Sequence, residues 1–246
     1  MPGITATVSQ IIDNIRRVFQ VVNEQSKRAE HETGLTGPQL WAIKTIAQKA
    51  PIMVSQIARC MYLHPATVVG ILDRLEKQGL VKRRAYRGVE LTHRGEAIAL
   101  RVLRKHRLAE RLLTEVLGMK WDEVHEVACR LEHAITDDVV EALETLLKNP
   151  RTCPHGNPIP SAVGRVKQTS AEPLSTLKPG QEAVLVSIAP ENRMLLTYLA
   201  SLGLIPGVRL QLEEKAPFNG PIIVNMRGSR YALGQQVASS IRVQKA

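Results

Sequence analysis

Apolar positions recur at helical spacing through the first 147 residues and alternate at strand spacing in the last third. In residues 4–34, Ile11, Ile12, Ile15, Val18, Phe19 and Val22 line one side of a predicted helix. In "GLTGPQLWAIKTIAQKA", Leu40, Ile43 and Ile46 suit a second helix, with Thr36 as N-cap before Gly-Pro. The next stretch, "MVSQIARCMYLHPATVVGILDRLEKQGLVKRRAYRGVELTHRGEAIAL", predicts a helix at 54–61, a turn at 62–64 and a helix at 65–78 stopped by Gly79. Two short strands follow, Val81–Arg84 and Val89–Thr92, joined around Arg87-Gly88. Helix, turn, helix and β-hairpin in that order is a winged helix-turn-helix.

A long helix is predicted from about 93 to 117 and another from about 121 to 147. "KNPRTCPHGNPIPSAVGRVKQTSAEP" is rich in Pro, Gly and Ser and reads as a linker. Beyond Leu174, "EAVLVSIA", "VRLQLEEKA", "PIIVNMRG", "SRYALG" and "SIRVQK" read as short strands that a small β-barrel would use, with "MLLTYLASLGLIPG" a short helix among them. The expected fold is mainly α with a small β domain. Its parts are a winged helix-turn-helix at 1–95, a helical unit at 96–150, a linker at 151–172 and a β-barrel domain at 173–246.

Composition narrows the function classes. The chain carries a formal charge of +10, which suits a polyanion binder, most often nucleic acid. The charge is focused: residues 82–111 hold ten Lys/Arg against Glu90, Glu96 and Glu110, a local net of +7. Aromatics are only 3%, which argues against a base-stacking surface. No apolar run approaches the ~20 residues of a membrane span, and the start lacks the apolar core of a secretory signal. Cys60, Cys129 and Cys153 are too few for a disulfide framework, so a cytoplasmic protein without a membrane partner is expected.

In a winged helix-turn-helix the second helix enters the DNA major groove. Here its first turn presents His64, Pro65, Ala66, Thr67 and Gly70, while Val68, Ile71, Leu72 and Leu75 face the core. Thr67 can bond a phosphate or base edge, Ala66 can touch a thymine methyl and Arg74 can reach a phosphate. Arg84 and Arg87 in the wing suit phosphates or a narrow minor groove. "IRRVFQ", "GLTGPQLWAIKTIAQ", "MVSQIARCM" and "ATVVGILDRLEKQGLVKR" resemble the multiple-antibiotic-resistance-regulator (MarR) family over roughly residues 8–84. That family has a longer wing with an Asp-Arg-Arg run, whereas "RRAYRGVE" stands here.

The second chemistry lies on the later helices. His106 and Glu110 form an i, i+4 pair; His125, Cys129, Glu132 and His133 share one stripe of the next helix. Two antiparallel helices can bring both sets to one seam. Mixed N, O and S donors suit Fe(II), Mn(II), Co(II), Ni(II) or Zn(II) rather than Ca(II) or Mg(II), and one cysteine among N/O ligands fits a regulatory ferrous site best.

Residues 103–160, from "LRKHRLAERLL" to "CPHGNPIP", look like the metal-binding and dimerisation domain of the diphtheria-toxin-repressor (DtxR) family of iron- and manganese-dependent regulators. The resemblance implies an ancillary site of His106, Glu110 and His125 and a primary, regulatory site of Cys129, Glu132 and His133. The cysteine at 129 resembles the iron-responsive branch. The family's primary site takes a further methionine or aspartate from its first helix. Counting back lands on Gly37 beside Pro38, which leaves Gln39 or a water to complete the site. Residues 174–244, through "LASLGLIPGVRL", resemble the family's SH3-like domain and the ferrous-iron-transport A (FeoA) type domain; Glu191 is the carboxylate that such a domain would lend to the ancillary site.

These resemblances imply a metal-activated repressor that binds palindromic double-stranded DNA as a homodimer. Leu112, Leu113, Val116, Val127, Leu131, Val139, Leu143 and Leu146 supply apolar surface for the dimer. Three alternatives stay open: a metal-independent MarR-like regulator answering to a small ligand, a metalloenzyme with a water-activating His/Cys/Glu site, and an iron-transport accessory protein.

Overall fold

A computed structural model describes residues 34–84, 86–132, 135–166 and 170–245. The helix expected within 4–34 lies outside the described residues, as does His133. Cα proximity separates two compact units, one of residues up to Val102 with 135–136, the other of Leu103–Glu132 and Asp137 onward.

The first unit contains α1 (Gly37–Lys49), α2 (Val54–Met61), α3 (Pro65–Lys77), β1 (Val81–Arg84), β2 (Gly88–Leu91) and the start of α4 (His93–Arg111). It is a winged helix-turn-helix, with boundaries in this motif within a residue of the sequence expectation. Thr36 and Gln39 open α1: the Gln39 Oε1 accepts from the Thr36 N–H at 2.9 Å and from its hydroxyl at 3.0 Å. That oxygen is thus committed to the helix start, which argues against Gln39 as a spare metal ligand. Tyr62 in the left-handed region ends α2, and His64 opens α3 by accepting from Ala66 N–H through Nδ1 at 3.3 Å. Leu40, Ile43, Ile57, Val68, Leu72, Leu75 and Val89 form the core that fixes the three helices against the hairpin.

The wing has a backbone constraint. Ile52 and Val89 exchange both backbone hydrogen bonds, adding a one-residue bridge to the edge of β2 that does not face β1. Gly88 stands at φ +94°, and a Cβ there would lie 2.7 Å from the Ile52 carbonyl oxygen. Only glycine accommodates both the dihedral and the close approach.

The second unit continues α4 and adds a π-helical turn (Leu112–Val116), α5 (Val124–Leu131), α6 (Asp137–Leu146), β3 (Glu172–Pro173), β4 (Glu182–Ile188), α7 (Arg193–Ser201), β5 (Arg209–Lys215), β6 (Ile222–Met226), β7 (Ser229–Leu233), α8 (Gln235–Ser240) and β8 (Ile241–Lys245). The strands make one six-stranded antiparallel sheet in the order β3-β8-β4-β5-β6-β7. It is SH3-like without being a closed barrel, since β3 and β7 stay at the two edges. Leu174, Leu185, Leu196, Leu199, Leu212, Val224 and Ile241 fill its core, and Trp121 packs against it.

Besides the open sheet in place of the expected barrel, two further expectations need correction. The single helix expected over 121–147 is broken: α5 ends at Leu131 and α6 begins at Asp137. "TDD" at 136–138 is a helix-start signal, with two carboxylates in the first turn of α6 favouring its positive end. The Pro/Gly-rich stretch expected to be a linker is, at residues 151–160, a packed loop in which Cys153, His155 and Asn157 are buried. Among the described residues no helix is long and apolar enough to cross a membrane.

Replacing Leu72, fully buried at the centre of the first unit's core, by alanine leaves a cavity. We expect Leu72→Ala to cost about 2–5 kcal/mol of that unit's stability in chemical denaturation; a negligible loss would contradict this packing.

Candidate metal centre

The geometry of the centre starts from α4. One helical turn separates His106 from Glu110, so both point to the same side, and both are buried. His106 Nε2 lies 3.0 Å from Glu110 Oε1, 3.1 Å from His125 Nδ1 and 3.8 Å from Glu191 Oε2. Its other nitrogen, Nδ1, lies 2.7 Å from Glu132 Oε2. One imidazole therefore joins two carboxylates through opposite edges.

α5 supplies His125 and Cys129, again one turn apart. His125 Nδ1 lies 3.2 Å from Glu110 Oε1 and 3.4 Å from Glu191 Oε2. Cys129 Sγ lies 3.9 Å from both His106 Nδ1 and His125 Nε2. Glu132, capping the end of α5, is buried beside His106. The structure thus gathers His106, Glu110, His125 and Glu191 so that their ligand atoms lie within 4.8 Å of one another, and does the same for His106, His125 and Cys129.

The packed loop at 151–160 contributes two residues that the sequence reading gave no role. Glu110, Cys153, His155 and Glu191 form a further set within 4.8 Å. Arg107 and Arg111 of α4 hold this loop by donating to the carbonyls of Pro158 and Thr152. Asn157 donates to Ile188 O at 2.8 Å and to Glu191 Oε1 at 2.5 Å, tying the loop to the end of β4 and fixing Glu191. Gly156, at φ +82°, passes so close to β4 that a Cβ would meet the Val186 carbonyl oxygen at 1.9 Å. His155 Nε2 donates to the Trp121 carbonyl at 2.7 Å; a carbonyl only accepts, so Nε2 carries the hydrogen and Nδ1 faces Glu110 at 3.4 Å. The clue in the sequence was the spacing of Cys153 and His155, two ligand types an alternate residue apart, but the surrounding prolines and glycines read as a linker.

A buried carboxylate needs its charge satisfied. Glu110 Oε1 meets three imidazole nitrogens, whereas Glu110 Oε2 is buried with no hydrogen-bond partner among the described residues. An orphaned oxygen inside a ring of N, O and S donors is what a divalent transition metal would complete, and this donor set fits one.

Burial pushes Glu110 up, but hydrogen bonds from His106, His125 and His155 outweigh it and hold the carboxyl well below its ordinary range. Burial pushes His106 down, yet Cys129, Glu110 and Glu132 carry it well above the ordinary imidazole value. Burial likewise lowers His125, while Cys129, Glu110 and Glu191 raise it to about 12. His155 is also raised, by Glu110 and Glu191 against the effect of burial. Burial and the nearby Glu110 and Glu191 charges push the Cys153 thiol well above its usual value.

The candidates for DNA contact belong to the first unit. His64, Pro65, Ala66, Thr67, Arg74, Arg84 and Arg87 are exposed, Gly70 is half-exposed and Val68 is buried behind them. Arg83 turns the other way, donating to Asp73 and Glu76 of α3 at 2.6 Å each, and so braces the wing against that helix. Glu90 neutralises part of the wing by pairing with Lys82 and Arg84. The basic run at 82–111 is accordingly not one DNA-facing patch. Arg104 pairs with Glu144, Lys105 with Asp137, and Arg107 and Arg111 hold the loop.

Comparison with known proteins agrees with these parts. Residues 92–161 match the iron dependent repressor metal binding and dimerisation domain, residues 172–245 the FeoA domain and residues 35–86 the MarR family. The chain is 38% identical over 191 residues to the iron-dependent repressor IdeR of Mycobacterium tuberculosis (strain ATCC 25618 / H37Rv), covering 73% of this chain and 83% of that one. It is 32% identical over 201 residues to the diphtheria toxin repressor of Corynebacterium efficiens, covering 78% and 86%. A solved manganese-dependent transcriptional repressor in complex with manganese superposes with a TM-score of 0.78 at 31% identity, over 85% of this chain and all of that one. The chain belongs to the diphtheria-toxin-repressor family of transcriptional repressors.

Imidazole nitrogens and thiols must shed their protons to ligate, so metal and protons compete for these atoms. We expect Mn(II) affinity to rise with pH by about tenfold per unit for each proton displaced, from roughly pH 6 to 8. Calorimetry in buffers of different ionisation enthalpy would show the released protons; a pH-independent affinity without proton release would contradict the arrangement.

Proposed function

We propose that this chain is a divalent-metal-dependent transcriptional repressor that binds palindromic double-stranded DNA as a homodimer in the cytoplasm and controls metal-homeostasis genes. The observation that carries the reading is the buried His/Glu/Cys cluster with the orphaned Glu110 oxygen, in the same chain as a winged helix-turn-helix. The relatives' names, an iron-dependent repressor and a manganese-dependent one, agree with it.

Fe(II) is the first choice of metal and Mn(II) the second, with Co(II), Ni(II) and Zn(II) also compatible with the donors. His106, Glu110, His125 and Glu191 would hold one ion, and Cys129, Glu132 and His133 the regulatory one. A bound ion supplies positive charge and a cross-link among side chains of α4 and α5. The chain's own residues do the rest. His106 bonds Glu132 through Nδ1 at 2.7 Å while Nε2 faces Glu110, so the two proposed sites share one ring. Fixing that ring at one edge orients the carboxylate at the other, which gives a route for coupling between sites.

DNA would be read by the first turn of α3 through His64, Pro65, Ala66, Thr67 and Gly70, with Arg74, Arg84 and Arg87 on phosphates or the minor groove. We place the DNA-binding domain at 1–95, the helical metal and dimerisation domain at 96–150 and the FeoA-type domain from 173. The dimer surface is supported by exposed Val116, Leu117, Val139 and Leu146. Leu113 and Leu143, expected to contribute, are buried instead.

Operator binding with and without Fe(II) or Mn(II) tests this reading. Metal is expected to tighten binding by the wild type, and Cys129→Ala or Glu132→Ala to weaken the metal response by about 10–100-fold or more. Equal, salt-sensitive binding in every case would leave a metal-independent DNA binder. No salt-dependent binding at all would remove the DNA-binding assignment.

A further inference from the structure

The two ligand sets around Glu110 share both of their carboxylates. His106 and His125 stand on one side, Cys153 and His155 on the other, and Glu110 and Glu191 belong to both sets. Glu191 divides its oxygens between them. Its Oε2 lies 3.4 Å from His125 Nδ1 and 3.8 Å from His106 Nε2. Its Oε1 lies 3.7 Å from Cys153 Sγ and 4.0 Å from His155 Nδ1. Glu110 offers Oε1 to three imidazole nitrogens and keeps Oε2 buried, without a hydrogen-bond partner among the described residues.

We propose that these six residues form a two-ion centre in which Glu191, with Glu110 beside it, bridges one ion held by His106 and His125 to a second held by Cys153 and His155. The inference rests on the metal-dependent reading above and extends it from separate single-ion sites to a coupled pair.

Three features carry it. A carboxylate with one oxygen directed to each ligand set is a bridging arrangement, and paired sites separated by roughly 3.5–4 Å commonly use it. The charges also match better for two ions than for one. Glu110, Glu191 and a Cys153 thiolate offset three of the four charges on two divalent ions; a single ion would leave excess buried negative charge or an unused thiol. Finally, the second ligand set is built rather than incidental. The Trp121 carbonyl sets the His155 tautomer so that Nδ1 faces inward, and Asn157 fixes the Glu191 oxygen on the Cys153 side. The softer Cys/His half suits Co(II), Zn(II) or Fe(II), and the His/His half suits Fe(II) or Mn(II).

Co(II) alone is the probe. The full chain carrying Cys129→Ser removes the other nearby thiol, so a thiolate-to-cobalt band in the near ultraviolet reports Cys153. We expect that band to appear, with one more Co(II) per chain by native mass spectrometry than in Cys129→Ser/Cys153→Ser/His155→Gln. We also expect an electron paramagnetic resonance signal weakened by magnetic coupling, and Glu191→Gln to lose the coupling. Unsubstituted protein, titrated in parallel, should show the same coupling, so a folding failure in the multiple variant leaves the question answerable. Equal ion counts, or an added ion whose signal is that of isolated Co(II), would overturn the bridged centre while leaving metal-dependent repression standing. Absence of any Co(II) uptake would overturn both.

Discussion

A carboxylate buried without exposure on α4 sets the terms for the second unit. Glu110 cannot stay charged inside a protein unless positive charge or donors surround it, and the fold brings His106, His125 and His155 to one of its oxygens. Each arrives from a different segment: α4 itself, α5 and the loop at 151–160. Holding that loop in place needs Arg107 and Arg111 on its carbonyls, Asn157 on Glu191 and a glycine where it passes β4. A group of polar residues that costs this much to bury is poor material for stability alone. The other Glu110 oxygen has no hydrogen-bond partner among the described residues, which fits a place for a cation.

Metal recognition and DNA recognition draw on opposite uses of charge. In the second unit, charges are buried, paired and close enough that protons and metal ions compete for the same atoms. In the first unit they are more exposed, and the ion pairs of the wing lie at the surface. Among them, the bonds from Arg83 to Asp73 and Glu76 brace the wing against α3, while Arg84 and Arg87 stay exposed. Individually such exposed ion pairs contribute about 0–1 kcal/mol, so their worth lies in geometry more than in stability.

Much of this was legible in the sequence wherever local signals decide structure. His64-Pro65, Gly79 and Arg87-Gly88 mark the ends of α3 and the wing by backbone preference alone, and those boundaries were read to within a residue. Helical spacing also placed His106 with Glu110 and His125 with Cys129. What escaped depends on contacts far apart in the chain. Cys153 and His155 acquire meaning only when their loop folds onto α4 and β4, and local composition gave the opposite impression. The break between α5 and α6 was hidden because apolar spacing continues across it, although Thr136-Asp137-Asp138 carries the restart signal. The sheet's failure to close depends on which edge strands pair, a matter that alternation within strands does not encode.

We infer that the buried cluster around Glu110 holds metal. Thermal unfolding of the wild type and of Glu110→Gln, each with and without Mn(II), tests it most directly. Ligand that binds only the folded chain raises its melting temperature. A clear Mn(II)-dependent rise is expected in the wild type and is largely lost in Glu110→Gln. An equal rise in both proteins, or none in the wild type, would contradict it.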